Sequence, residues 1–341
     1  MKTGKKKFEK QSQIEISLVA VGDVLLKQEK PELAFTFVSS IFRKADIRFG
    51  NLEAPLSDKL NPSNAGITTA FHSDPSAIAG LLAAGFDVLS FANNHSMNHG
   101  EEAFMDTLKI LSKNKIAYAG GGANITEARR PVILEKKGLK VGFLAYAVSD
   151  GLRKYSAYPN KPGIVLIRLS PFFASPFTNQ EDVEMMIEDI IELRKKADIV
   201  IVSYHWGASQ GGNHTITIPQ TGLAHIAIDS GADLILGHHP HAVQGIEIYK
   251  HKIVAYSLGN FIFDGYKLPM PKETMILNVC FEQNNIKKVS FIPVLIDEIG
   301  RPCPLPPDDE NCVRIQKMME KLSGQLGTRL SFKGAEGMVD L

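Results

Sequence analysis

A chain of 341 residues with 44% hydrophobic content is long enough to bury a large core, which excludes a disordered chain and fits one large α/β domain or a main domain with a small appendage. Its 38 basic and 37 acidic side chains leave a net charge of +1, which speaks against nucleic acid or a membrane surface as the main partner, so specificity is expected to come from a pocket. Cys280, Cys303 and Cys312 lack CxxC spacing, and reduced thiols are expected rather than a disulfide framework or a thiolate metal site.

The opening MKTGKKKFEKQSQ is basic but leads into the alternating stretch IEISLVAVG, with no apolar signal core. No run of about eighteen apolar residues occurs, so no membrane span is expected and the cytoplasm is the expected location. In chain order, β-branched runs at 14–21, 45–49, 88–92, 140–147, 199–204, 234–236 and 253–257 predict strands. Amphipathic stretches at 31–44, 75–84, 101–113, 181–196 and 220–229 predict helices between them, the pattern of a βα-layered fold. The phrases AAGFDVLS, KKADIVIV and DSGADLIL repeat one design, in which a helix ends, the chain turns on a small residue and an Asp leads into a buried strand.

Beyond residue 264 the pattern changes to two strands at 274–282 and 287–296 joined at Asn284–Asn285, then the Pro-rich RPCPLPPDDEN, then a helix at 312–326 and a weakly ordered tail from 331. This gives a main domain over 14–298, with 299–341 as a loop, helix and tail packed on it or trailing from it. The aromatic, proline-bearing stretch 149–182 has no clear period, and Gly120-Gly121-Gly122 lacks P-loop or dinucleotide spacing and reads as a turn.

The informative fact is where polar residues fall. Gly22-Asp23, Gly50-Asn51-Leu52-Glu53, Asn93-Asn94-His95, His205-Trp206-Gly207, Gly237-His238-His239-Pro240-His241 and Ser257-Leu258-Gly259-Asn260 each follow a buried run. In open α/β sheets ligands bind at the carboxyl ends of strands, so these six ends define one crevice. Singly, each residue reads as a turn, a cap or a hydrogen-bonded core histidine, and His72, His99, His214, His225 and His251 are left there. Jointly, Asp23, Glu53, Asn94, His205, His239 and His241 offer carboxylate, imidazole and amide oxygen without thiolate, the donor set of manganese, iron or zinc. Pro240 breaks the strand between His239 and His241, so a kinked loop can aim both imidazoles at neighbouring ions, and Glu53 can bridge a pair. His72, Trp206 and Asn260 flank the strand ends and are candidates for substrate contact.

Through GDVLL, GNLEAPLS, FANNHSMNHG, YHWG, GHHPHAVQGIE and YSLGNFIFD, the sequence resembles the CapA family of poly-γ-glutamate capsule biosynthesis proteins, relatives of the calcineurin-like metallophosphatases. The resemblance implies a four-layer α/β/β/α sandwich of the metallo-dependent phosphatase type and two divalent transition-metal ions, manganese, iron or zinc. It would place Asp23, Glu53 and His241 on one ion, Glu53, Asn94, His205 and His239 on the other, and His95 as the general acid. The chain departs from it at three points: Val24 and Leu25 follow Asp23 where the superfamily has Asp-x-His, Asn98 stands where such chains often carry Asp, and Ser209 and Gln210 follow the HWG without an acid.

The expected function is therefore a metal-dependent hydrolase acting on a phosphoester or on a γ-glutamyl peptide or amide substrate. The substrate is a small molecule, peptide or polymer. The alternatives are a metal-dependent peptide epimerase or lyase, and a non-catalytic partner of a polymer-synthesising complex.

Overall fold

The computed structural model describes residues 14–61, 71–170, 177–209, 212–263 and 270–341. Two large sheets dominate, one of ten strands and one of eight among the described residues. In the first, the Glu15–Leu25 strand lies between the parallel Ile47–Leu52 strand and the antiparallel Glu273–Glu282 strand, and Val88–Ser90 extends it on the Ile47–Leu52 side. In the second, Leu139–Ser149, Ile199–His205, Leu234–His238 and Lys252–Ala255 run parallel in that order.

Side chains two apart on a strand share a face, and this periodicity sorts the core. Ile16, Leu18 and Ala20 of the first sheet join Val141, Phe143, Ile199 and Ile201 of the second in one apolar cluster between the sheets. There Phe49 and Phe143 stack with ring centroids 5.8 Å apart. Truncating either to Ala is expected to cost about 3–5 kcal/mol. The alternate residues face outward: Val19 and Val21 pack with Leu81 and Phe104 of the helices Ile78–Ala84 and Gly100–Lys113. Likewise Leu144, Val200 and Val202 meet Met186, Ile190 and Leu223 of the helices Gln180–Arg194 and Ile218–Asp229. The latter helix starts in a capping box between Thr217 and Gln220, and Gln220 Nε2 donates to Gln244 Oε1 (2.9 Å), tying the helix start to the loop after Leu234–His238.

Three expectations are corrected, and the stretch without a clear period contributes a strand. The stretch 31–44 is not one helix but 3₁₀ turns at Pro31–Leu33 and Thr36–Val38 and a short helix at Ser39–Phe42. Its Thr36 and Ser39 hydroxyls donate to the carbonyls of Leu33 (2.7 Å) and Thr36 (3.0 Å), competing with regular helix bonding. Within 149–182, the Leu166–Ser170 strand joins the second sheet; residues 171–176 fall outside the described residues. Gly121–Gly122 is a short strand paired with Gly163–Ile164 rather than a turn. The tail forms the hairpin Leu330–Lys333 and Glu336–Val339, which adds to the first sheet on Asn285–Ile296. The expected 274–282/287–296 hairpin is present as Glu273–Glu282 paired with Asn285–Ile296. Among the described residues no helix is long and apolar enough to cross a membrane.

Candidate metal centre

Asp23 is reached by a strand longer than expected, because Glu15–Leu25 continues past Gly22 through a register irregularity on both flanks. A Cβ at Gly22 would sit 1.9 Å from the Gly259 carbonyl oxygen, the group that accepts the Asp23 backbone N–H at 3.0 Å. Glycine therefore lets two chains close on each other, and the irregularity turns Asp23 into the crevice. Asp23 and Glu53 are both fully buried. Asn51, two residues before Glu53, donates its side-chain amide to Asp23 Oδ1 (2.8 Å) and Glu53 Oε2 (2.6 Å), clamping the carboxylates together.

The loop after Leu234–His238 completes this centre. His239 and His241 adopt φ of 94° and 56° on either side of Pro240, a backbone conformation that costs side-chain-bearing residues about 1–3 kcal/mol each. The kink places both imidazoles on one side, with ring centroids 6.0 Å apart. Oxygen and nitrogen ligand atoms of Asp23, Glu53 and His241 all fall within 4.8 Å of one another. His241 Nδ1 lies 3.3 Å from Asp23 Oδ2 and 2.8 Å from Asn260 Oδ1. His205 Nδ1 approaches Glu53 Oε2 at 3.7 Å, His205 Nε2 meets Asn94 Oδ1 at 2.6 Å, and the His239 ring is tilted against that of His205 with centroids 4.6 Å apart. Asp23, Glu53 and His241 thus form one group, and Asn94, His205 and His239 lie next to it, with His205 facing Glu53.

The electrostatics fit a cation. Burial alone would raise Asp23, but the facing His238 and His241 outweigh it and hold its carboxyl well below the usual range. Burial and then the Asp23 charge push Glu53 well above the usual range. Burial takes His205 well below its ordinary value and His239 to about 3, so both are neutral lone-pair donors at pH 7. Asp23 Oδ2, Glu53 Oε1, His205 Nδ1 and His239 Nδ1 are buried with no hydrogen-bond partner among the described residues. Buried polar atoms are ordinarily paired, so four unpaired lone-pair atoms in one buried cluster suit a divalent ion bound by nitrogen and oxygen.

His95 sits beside this centre, with Nε2 4.0 Å from Glu53 Oε1 and 3.1 Å from Asn94 Nδ2. Burial takes its pKa down to about 4. The Phe71 ring packs on it at 4.3 Å, and His72 follows at the half-buried mouth, 5.3 Å from His99. Two of the expected substrate contacts are fully buried. Trp206 is fully buried between Tyr204 and Tyr256, and its Nε1 donates to the Tyr256 carbonyl at 2.9 Å, so it packs beneath the site. Asn260 is also fully buried and orients His241 instead of facing solvent.

Sequence reasoning assigned no role to Asn51 or His238. Asn51 shares the strand face of Glu53 by its two-residue spacing, a signal that was present. His238 is fully buried with Nδ1 3.3 Å from Asp23 Oδ1, so it reaches the cluster only through Asp23.

Fold and centre together define a mixed α/β protein with a buried carboxylate–imidazole–amide cluster. The family model for the bacterial capsule synthesis protein PGA_cap matches residues 17–265, and the chain belongs to that family. It is 29% identical over 303 residues to the PGA biosynthesis protein CapA of Bacillus subtilis (strain 168), covering 86% of this chain and 74% of that one. It is 28% identical over 327 residues to the capsule biosynthesis protein CapA of Bacillus anthracis, covering 92% and 75%. Among solved structures, a hypothetical protein from Thermus thermophilus shares the fold at a TM-score of 0.50 and 15% identity, over 82% of this chain and 98% of that one.

Proposed function

We propose that this chain is a metal-dependent hydrolase on a four-layer α/β/β/α sandwich of the metallophosphatase type. Its substrate is a phosphoester or an amide-type bond of a γ-glutamyl chain in poly-γ-glutamate metabolism. The observation that carries the reading is the buried Asp23–Glu53–His241 group, whose ligand atoms lie within 4.8 Å of one another, beside Asn94, His205 and His239. The names of the capsule and PGA biosynthesis relatives support the substrate class.

Asp23, Glu53 and His241 would hold one divalent ion and Glu53, Asn94, His205 and His239 a second. Bound there, manganese, iron or zinc supplies Lewis-acid polarisation of the scissile group and a more acidic water. Glu53 would serve both ions. His95 is neutral at pH 7, so in this reading it takes up a proton when an anionic substrate arrives and returns it to the leaving group. Asn98 Oδ1, 2.7 Å from His95 Nδ1, keeps the other ring nitrogen aimed at the reacting bond.

The same neutral imidazole favours a second reading, in which His95 Nε2 removes a Cα proton from a metal-polarised peptide in an epimerase or lyase. One set of assays separates the readings. Manganese-loaded protein is incubated with p-nitrophenyl phosphate, bis-p-nitrophenyl phosphate and poly-γ-glutamate in deuterated water. Metal-stimulated bond cleavage that is lost in His95→Ala is the expected result. Deuterium at Cα without cleavage would move the assignment to the epimerase. No reaction from fully metal-loaded protein would leave a non-catalytic partner of a synthesising complex.

A further inference from the structure

A groove of about 390 Å³ runs between the turn after the Glu15–Leu25 strand and the 299–301 loop. Lys27, Lys30 and Arg301 line it, together with the apolar Leu33 and Ile299, which are 49% and 54% exposed. Glu29 is the one acid on its wall. Gln28 Nε2 donates to the Ile299 carbonyl at 3.3 Å and fixes the two walls to each other. Arg301 is already paired with Asp297 at 2.8 Å, whereas neither Lys27 nor Lys30 has a carboxylate within 4.0 Å among the described residues.

The Phe71 ring stands between this groove and His95. The Lys27 ammonium lies 5.7 Å from the centroid of the Phe71 ring, and that ring packs on His95 at 4.3 Å. Lys27 is therefore one aromatic ring away from the residue that faces the reacting bond. His72, next in the chain, is lowered by burial first and then by the neighbouring His99 and Lys27, so the cation is also felt across the mouth.

The geometry points to a substrate-chain subsite: the groove takes the continuation of a γ-glutamyl polymer whose scissile bond lies at His95, with its carboxylates on Lys27 and Lys30 and its methylenes on Leu33 and Ile299. A γ-linked glutamate chain alternates one free carboxylate with a short aliphatic run, which matches cations spaced along an apolar wall. A polyphosphate offers charge without that apolar repeat, and so gains nothing from Leu33 and Ile299. This inference rests on the hydrolase reading for the substrate class, and its test is a binding measurement that does not need turnover.

Fluorescently labelled oligo-γ-glutamates of two and of about ten residues are titrated with the full chain, in metal-loaded and chelator-treated form, by anisotropy at low salt. The longer oligomer is expected to bind about tenfold more tightly than the shorter one, and Lys27→Gln/Lys30→Gln to erase that gain without changing metal content or melting temperature. Leu33→Ser/Ile299→Ser should weaken the long oligomer but not inorganic polyphosphate. The inference is overturned if both lengths bind alike, if the lysine variant keeps the gain, or if polyphosphate of equal charge competes as well as the oligomer. Lysine-dependent, length-dependent binding in a protein that hydrolyses nothing would retain the subsite and remove the hydrolase reading; hydrolysis of the short oligomer without a length gain would do the reverse.

Discussion

The imidazole of His95 and the side-chain amide of Asn98 are joined at 2.7 Å, Nδ1 to Oδ1, and the same oxygen accepts the Phe71 backbone N–H at 3.0 Å. An oxygen that already accepts from an amide must receive the imidazole proton as well, so neutral His95 carries its hydrogen on Nδ1 and presents a bare Nε2 to the crevice. Where an aspartate would add a charge to this contact, Asn98 fixes the tautomer without one. Asn98→Asp is therefore expected to raise the His95 pKa and move the alkaline limb of the pH–rate profile, where the protonated imidazole is lost, up by about one unit. Asn98→Leu should lower turnover by about 10–100-fold at unchanged metal content. A profile that stays put in Asn98→Asp would show that this amide does not act through His95.

His238 and His241 contact different oxygens of the buried Asp23 carboxylate, His238 Nδ1 3.3 Å from Oδ1 and His241 Nδ1 3.3 Å from Oδ2. Such supporting groups typically contribute 10–100-fold to metal affinity. His238→Leu should weaken the weaker-bound equivalent by about that factor in a competition titration with a chelating dye, with the second equivalent unaffected. Equal weakening of both ions would argue that the substitution acts through general loosening of the loop.

The metal-free protein should lose stability on acidification. His95 and His239 titrate at about 4 and about 3 in the fold, and His205 also lies well below its ordinary value. An unfolded histidine takes its proton near 6.5. Between pH of about 6.5 and about 4 the unfolded state binds more protons, so each such imidazole contributes stability that is present above that window and falls by up to roughly 1.4 kcal/mol per pH unit as pH drops. Glu53 works the other way, because its raised pKa lets the native state hold a proton that the unfolded chain releases. Three imidazoles against one carboxyl leave a net loss. Urea unfolding in chelator at pH 7 and 5.5 should show it, and His95→Gln should reduce the difference by about one proton's share. An identical pH dependence in wild type and His95→Gln would sink this assignment.

Gly22→Ala tests the close approach that brings Asp23 into place. Its Cβ would lie 1.9 Å from the Gly259 carbonyl oxygen, so the strands must part. A loss of about 3 kcal/mol is expected from such backbone overpacking, with metal affinity reduced even in the fraction that folds. Normal stability and metal content would mean that the Asp23–Gly259 contact is not what positions the carboxylate.

Much of this centre was legible in the chain because buried parallel strands announce themselves as short apolar runs, and the polar residue that ends each run has only one place to go. Glu53, Asn94, His205, His239 and His241 were found that way. The parts that were not legible depend on contacts between segments distant in sequence. The irregularity at Gly22 exists because Gly259 arrives from 237 residues away, just before the Asn260–Phe263 strand, and nothing local marks the continuation to Leu25. Trp206 and Asn260 stand at strand ends like the ligands, and only the packing of Tyr204, Tyr256 and His241 decides that they serve the core and the support of His241. The hairpin at Leu330–Lys333 and Glu336–Val339 is short and polar on its outer face, so its sequence carries little apolar alternation and its order comes from Asn285–Ile296 alongside it.

The central claim is that Asp23, Glu53 and His241, with Asn94, His205 and His239, form a centre for two divalent ions. Elemental analysis of the purified, folded protein after loading with manganese, iron or zinc and removal of free ions tests it most directly. About two equivalents per chain are expected in the wild type, about one in Asp23→Ala, and fewer than one in Glu53→Gln, whose side chain serves both groups. A wild-type protein that is folded by its circular dichroism and unfolding transition, yet retains none of these metals, would contradict the account.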